Sequence, residues 1–140
     1  MIVVIGSTYL RGDGPDAGPD GLAGRLALAA ARAGAAVELI AKVGDDPVGD
    51  ALLIALARSG VGHVAVLRDA THRTARRPAP EDLDVDVDVD ALARDETAPW
   101  AVEPGEAPEL DIEDVGLALR YLTEFRVVVA IHPTPGIAAE

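Results

Sequence analysis

Asp45 and Asp46 stand side by side in the stretch Ala41-Lys42-Val43-Gly44-Asp45-Asp46-Pro47, and two adjacent carboxylates could hold a divalent cation. Their surroundings give them a different task. Asp46 falls at a helix N-cap with Pro47 at the first helical position, where an acid complements the helix dipole and proline's missing N–H costs nothing. Asp82, Asp84, Asp86, Asp88 and Asp90 alternate with Leu83, Val85, Val87 and Val89, the spacing of a strand with one acidic and one apolar face. A calcium loop opening at Asp84 needs Gly at its sixth place and Glu at its twelfth, where Val89 and Asp95 stand. The run therefore reads as an edge strand or as an acidic segment kept unfolded by repulsion between neighbouring Asp residues. Arg73, Arg76 and Arg77 form a small basic cluster expected to pair with it. His63, His72 and His132 lack ligand spacing. Ser7 has no Gly-x-Ser-x-Gly elbow, the Gly12, Gly14 and Gly18 spacing fits no dinucleotide fingerprint, and no Gly-Lys-Ser/Thr phosphate loop occurs. Lys42, at a strand end, reads on its own as a solvated charge.

Composition narrows the partners. The net charge of −12 repels a nucleic-acid backbone or an anionic membrane surface, so neither is expected to bind. With no Cys there is neither a disulfide framework nor a thiolate metal site. Met1 runs directly into a strand without a signal-peptide pattern, and a cytoplasmic location is the expectation. Ala and Val supply most of an apolar fraction of 49%, so the core must be built by close approach of helices to a sheet.

The elements that would position these residues follow from periodicity. Ile2, Val3, Val4 and Ile5 form a β-branched run closed by Gly6, as in a parallel strand covered on both faces. Residues 7–20, rich in Gly, Pro and Asp, read as a surface loop. Leu22, Leu26, Ala29, Ala30 and Ala33 recur at helical spacing, with Asp20 as N-cap and Gly34 as the closing residue. Val37, Leu39, Ile40 and Val43 make a second strand. Val48, Leu52, Leu53, Leu56 and Ala57 stripe a second helix before Gly60, and a third strand is expected over residues 64–67. The resulting β-α-β-α-β unit implies right-handed crossovers against a parallel sheet. Residues 71–110 read as an irregular acidic excursion. Ile112, Val115, Leu119 and Leu122 restore a helical stripe, residues 127–131 read as a fourth buried strand, and Thr134-Pro135 signals a helix that the sequence does not complete. One domain, represented in part, is the expectation for residues 1–140.

Two blocks carry a family likeness. Asp20-Gly21-Leu22-Ala23-Gly24-Arg25-Leu26-Ala27, continuing to Ala31-Arg32-Ala33-Gly34, keeps the register of a Gly-Gly pair followed by an Asn and an Ala-rich helix. Ala41-Lys42-Val43-Gly44-Asp45-Asp46-Pro47-Val48-Gly49-Asp50-Ala51-Leu52 follows a Gly-Lys-Val-Gly-Asp-Asp-x-x-Gly block. With Val4-Ile5-Gly6-Ser7 at the start, the chain resembles the N-terminal part of a ribokinase-like, or PfkB-type, carbohydrate kinase. The likeness covers residues 1–70 well and residues 119–133 only in general style. It implies a three-layer α/β/α sandwich with a mostly parallel sheet, incomplete here and with a reduced β lid. It also implies phosphoryl transfer from ATP, with Mg2+, to a hydroxyl of a sugar or nucleoside.

The same resemblance places a sugar site at the loop after the first strand and at the Gly-Gly-x-Asn region, and puts Lys42 on the phosphate side. Arg11, Gly21, Arg25 and Lys42 are the substrate-binding candidates it yields. The departures are specific. Arg11 stands where the family has a sugar-binding Asp, Tyr9 where it has an Asn, Arg25 at the signature Asn and Asp20 at the first Gly. A guanidinium cannot accept a hydroxyl's hydrogen bond. The Gly-Ala-Gly-Asp segment that carries the family's anion hole and catalytic Asp does not occur, so no catalytic residue is assigned. Three readings follow: a kinase homologue inactive as this chain, a non-catalytic domain in which Arg11 and Arg25 prefer an anionic ligand, or an α/β protein that self-associates as a homodimer through a sheet edge.

Overall fold

A computed structural model of the protein describes residues 1–78 and 106–131. Strands β1 (Ile2–Ile5), β4 (Val37–Gly44), β5 (Val66–Asp69) and β7 (Val127–Ala130) form a parallel sheet in the order β5-β4-β1-β7. Among the described residues, helices α1 (Leu22–Arg32), α2 (Pro47–Arg58) and α3 (Ile112–Leu119) pack against it. Alternation along the central strands sorts the core into two faces. Val4, Leu39, Ala41 and Val43 pack with Ala23 and Ala27 of α1 and Leu52 and Leu56 of α2. Val3, Ile5 and Ile40 pack with Val115 and Ala118 of α3 and with Leu122. The result is the expected α/β/α layering, with α1 and α2 on one side and α3 on the other.

Several expectations need correction. Residues 7–20 are not an irregular loop. They hold β2 (Tyr9–Arg11), a 3-10 turn (Gly14–Asp16) and β3 (Gly18–Asp20), and β2 pairs antiparallel with β3. β6 (Arg76–Arg77) adds in parallel to β2, so the start of the acidic excursion belongs to a small second sheet. Three-residue strands are too short to show alternation over the turn formers Gly and Pro. The buried face of α1 is Ala23, Gly24 and Ala27, while Leu22 is 51% exposed, because small side chains let the helix sit close to the sheet. Asp20 does not cap α1; Gly21 is the N-cap residue. β5 begins two residues later than expected.

β7 is a strand, but it is an exposed edge. Among the described residues it pairs with β1 alone, and Val127 and Val128 are exposed rather than buried. The acidic run at residues 82–90, the helix signal at Thr134-Pro135 and His132 lie outside the described residues.

Candidate functional site

β4 delivers the best-specified loop of the chain, and its geometry is a lock built on Asp46. Asp46 Oδ1 accepts the Gly49 N–H at 2.7 Å, capping α2 as its position predicts. The same carboxylate accepts the Thr74 N–H at 2.8 Å and the Thr74 hydroxyl at 2.8 Å. Thr74, fully buried, in turn accepts the Gly44 N–H at 2.9 Å. Burial alone would raise the Asp46 pKa, but the donors from Thr74 and Gly49 outweigh it and hold the carboxyl below its usual value. Both glycines are required by close approach. A Cβ on Gly49 would lie 2.4 Å from the Gly44 carbonyl oxygen, and one on Gly44 would lie 2.6 Å from the His72 carbonyl oxygen. Arg68 bridges Asp45 at 3.0 Å and Asp50 across the outside of the turn. The paired acids are therefore structural, and no group of three or more metal-ligating side chains occurs among the described residues.

Beside this lock opens a cleft of about 290 Å³, lined by Ser7, Thr8, Tyr9, Lys42, Thr74 and Glu109 among others. Ser7 follows β1 and Lys42 lies near the end of β4, so the cleft sits at the carboxyl ends of parallel strands, where open α/β sheets place ligands. Lys42 is not a solvated charge. Its Nζ donates to Asp114 Oδ2 at 2.8 Å with both side chains more than four-fifths buried, and that bond raises the lysine pKa. Asp114 also closes a capping box with Asp111, so Lys42 ties β4 to the first turn of α3.

Arg11, Gly21 and Arg25 meet elsewhere, around Asp20. Arg11 Nε contacts Asp20 Oδ2, Arg25 Nε lies 3.3 Å from Asp20 Oδ1, and the Gly21 N–H donates to the same oxygen at 2.7 Å. Gly21 adopts φ 85°, a conformation that favours glycine, and a Cβ there would lie 3.2 Å from the Tyr9 ring. Tyr9 thus separates the two groups: one side of its ring meets Gly21, and the residue lines the Lys42 cleft. Arg77, also buried, stacks over that ring at 5.7 Å, and Arg76 pairs with Asp13. The basic cluster's observed ion pair is therefore to the small sheet.

Comparison with known proteins finds a family match over part of the chain. Residues 21–77 match the pfkB family of carbohydrate kinases. The pfkB match opens at Gly21 and closes at Arg77, so it contains Lys42, the whole Asp46 lock and Thr74. No curated protein sequence matches the chain. Among solved structures, Sa239 superposes with a TM-score of 0.66 at 21% identity, over 96% of this chain and 46% of its own. A sugar kinase from Pyrococcus horikoshii in complex with ATP gives 0.57 at 21% identity, over 81% of this chain and 38% of its own. The ATP-bound fructokinase of Xylella fastidiosa gives 0.58 at 20%, over 81% and 36%. At these identities the likeness is one of fold, and the fold is that of ribokinase-like kinases. The chain spans less than half the length of each of these three neighbours.

Among the described residues lining the cleft, Lys42 is paired with Asp114 and Glu109 shares the rim. Thr74 is the residue that sequence reasoning missed. It lies 28 positions from Asp46, inside a stretch read as irregular, and no local spacing signals it.

Proposed function

We propose that this chain forms the substrate side of a PfkB-type kinase that transfers the γ-phosphoryl group of ATP to a hydroxyl of a sugar or nucleoside, and that the chain alone is inactive. The observation that carries the reading is the Asp46–Thr74 lock inside the matched segment. It ties the loop after β4 to Thr74, in the segment that follows β5, and a cleft lined by Ser7, Thr8 and Lys42 opens beside it. Ser and Thr hydroxyls both donate and accept, and so suit polyhydroxylated ligands. ATP, Mg2+, the catalytic base and the anion hole belong in this reading to a further segment of the fold, which the neighbours possess in length and these residues do not supply.

The test is sugar-dependent ADP formation by the purified chain with ATP and Mg2+ across a panel of hexoses, pentoses, nucleosides, sugar acids and sugar phosphates, run beside calorimetric titration of the same panel. Binding of at least one member without ADP formation is the expected result. Turnover would overturn the inactivity, and absence of any binding would overturn the substrate-side assignment. A second reading, a non-catalytic binding domain, is favoured by one feature: Arg11 and Arg25 replace acceptors with cations.

A further inference from the structure

The small sheet and its turn balance Arg11, Arg76 and Arg77 against Asp13, Asp16 and Asp20, and Arg25 of α1 adds a further cation beside them, in a protein whose net charge is −12. Two guanidiniums, Arg11 and Arg25, meet the single carboxylate of Asp20. Asp20 has a side chain only 10% exposed, and one arginine suffices to neutralise it. Arg25 is the surplus partner. Its side chain is 59% exposed, it reaches Asp20 through Nε alone at 3.3 Å, and among the described residues it has no other ion-pair partner. A second, exposed pair of this kind contributes little to stability, so folding does not explain its position. The setting favours anions further. The cluster lies at the start of α1, whose N-cap Gly21 offers no side-chain acceptor and whose first turn holds no acidic residue. Arg11 hydrogen-bonds the Tyr9 side chain, and Tyr9 forms a wall of the Lys42 cleft, so the cluster and the cleft are adjacent.

We propose that Arg11 and Arg25 receive the carboxylate or phosphate of a small polyhydroxylated ligand, with Asp20 as the internal counter-ion that holds both guanidiniums until the ligand engages Arg25. A planar guanidinium fork matches either anion, and an exposed one can turn to it without unfolding its helix. The inference rests on the substrate-side reading of the cleft and sharpens it, since it names the substrate class as a sugar acid or sugar phosphate.

Calorimetric titration of the intact chain at low ionic strength with gluconate, glucose 6-phosphate, inorganic phosphate and glucose tests it. Gluconate or glucose 6-phosphate should bind at least about tenfold more tightly than glucose, and Arg25→Ala should remove that advantage. A preference for gluconate assigns a carboxylate ligand, and a preference for glucose 6-phosphate or inorganic phosphate assigns a phosphate. Asp20→Asn should tighten anion binding by about fivefold, because the competing carboxylate is gone. Where Asp20→Asn fails to fold by circular dichroism, Arg25→Lys decides instead: it keeps the charge, loses the fork and should weaken binding. No anion binding by the natural chain, or binding unchanged in Arg25→Ala, overturns the proposal. Glucose binding that persists while anion binding is absent overturns this inference alone, and loss of both overturns the kinase reading with it.

Discussion

Thr74 and Asp46 show how far single residues govern this molecule. Three donors converge on one carboxylate, and a fourth bond returns from the Gly44 N–H to the Thr74 hydroxyl. Thr74→Val keeps the shape but leaves the buried Gly44 N–H unpaired, and should lower unfolding stability by about 1–3 kcal/mol in urea denaturation. The sign of the pH dependence follows from the depressed Asp46 pKa. A carboxylate favoured in the folded state contributes stability that is present above its unfolded pKa, near 3.8, and is lost as pH falls through the lower folded value. Acid titration followed by circular dichroism should therefore show an unfolding component below pH 3.8 that Asp46→Asn reduces. The cap was legible because Asp46, Pro47 and Gly49 lie within one turn. Thr74 was not, because its partner is distant in sequence.

The longer strands and the helices were placed correctly along the chain, and the strands of two or three residues were not. β1, β4, α2 and α3 stand where alternation and helical spacing put them. β2, β3 and β6 each offer two or three residues, too few for a pattern, and their pairing partners are set by tertiary contact. For α1 the helix was evident but its face was not, since nearly every residue is Ala or Leu and the stripe could be drawn several ways. β7 reads as buried from composition alone, yet burial depends on what lies beside it. An apolar parallel edge is a template for further strands. Val128→Lys should reduce concentration-dependent association in sedimentation velocity, without lowering the thermal midpoint by more than about 2 °C. Unchanged association would show that the β7 edge is not the contact.

At the scale of the whole molecule, the described residues hold three layers, a sheet edge at β7 and a cleft at the strand ends, and the chain spans less than half the length of its structural neighbours. The likeness to the pfkB family over residues 21–77 could be read from the sequence because the Gly-Asp-Asp-x-x-Gly block is a packing requirement in which both glycines and Asp46 are fixed by contact. The site was less legible. Arg11, Gly21 and Arg25 come together, but around Asp20, and Lys42 lies apart from them in the cleft, tied to Asp114. The central claim is that this cleft is the ligand-facing side. Amide and side-chain NMR shifts recorded while a sugar or sugar acid is added test it most directly. Shifts centred on Ser7, Thr8, Tyr9 and Lys42 are predicted, and shifts confined to other surfaces, or none across the panel, would contradict the account.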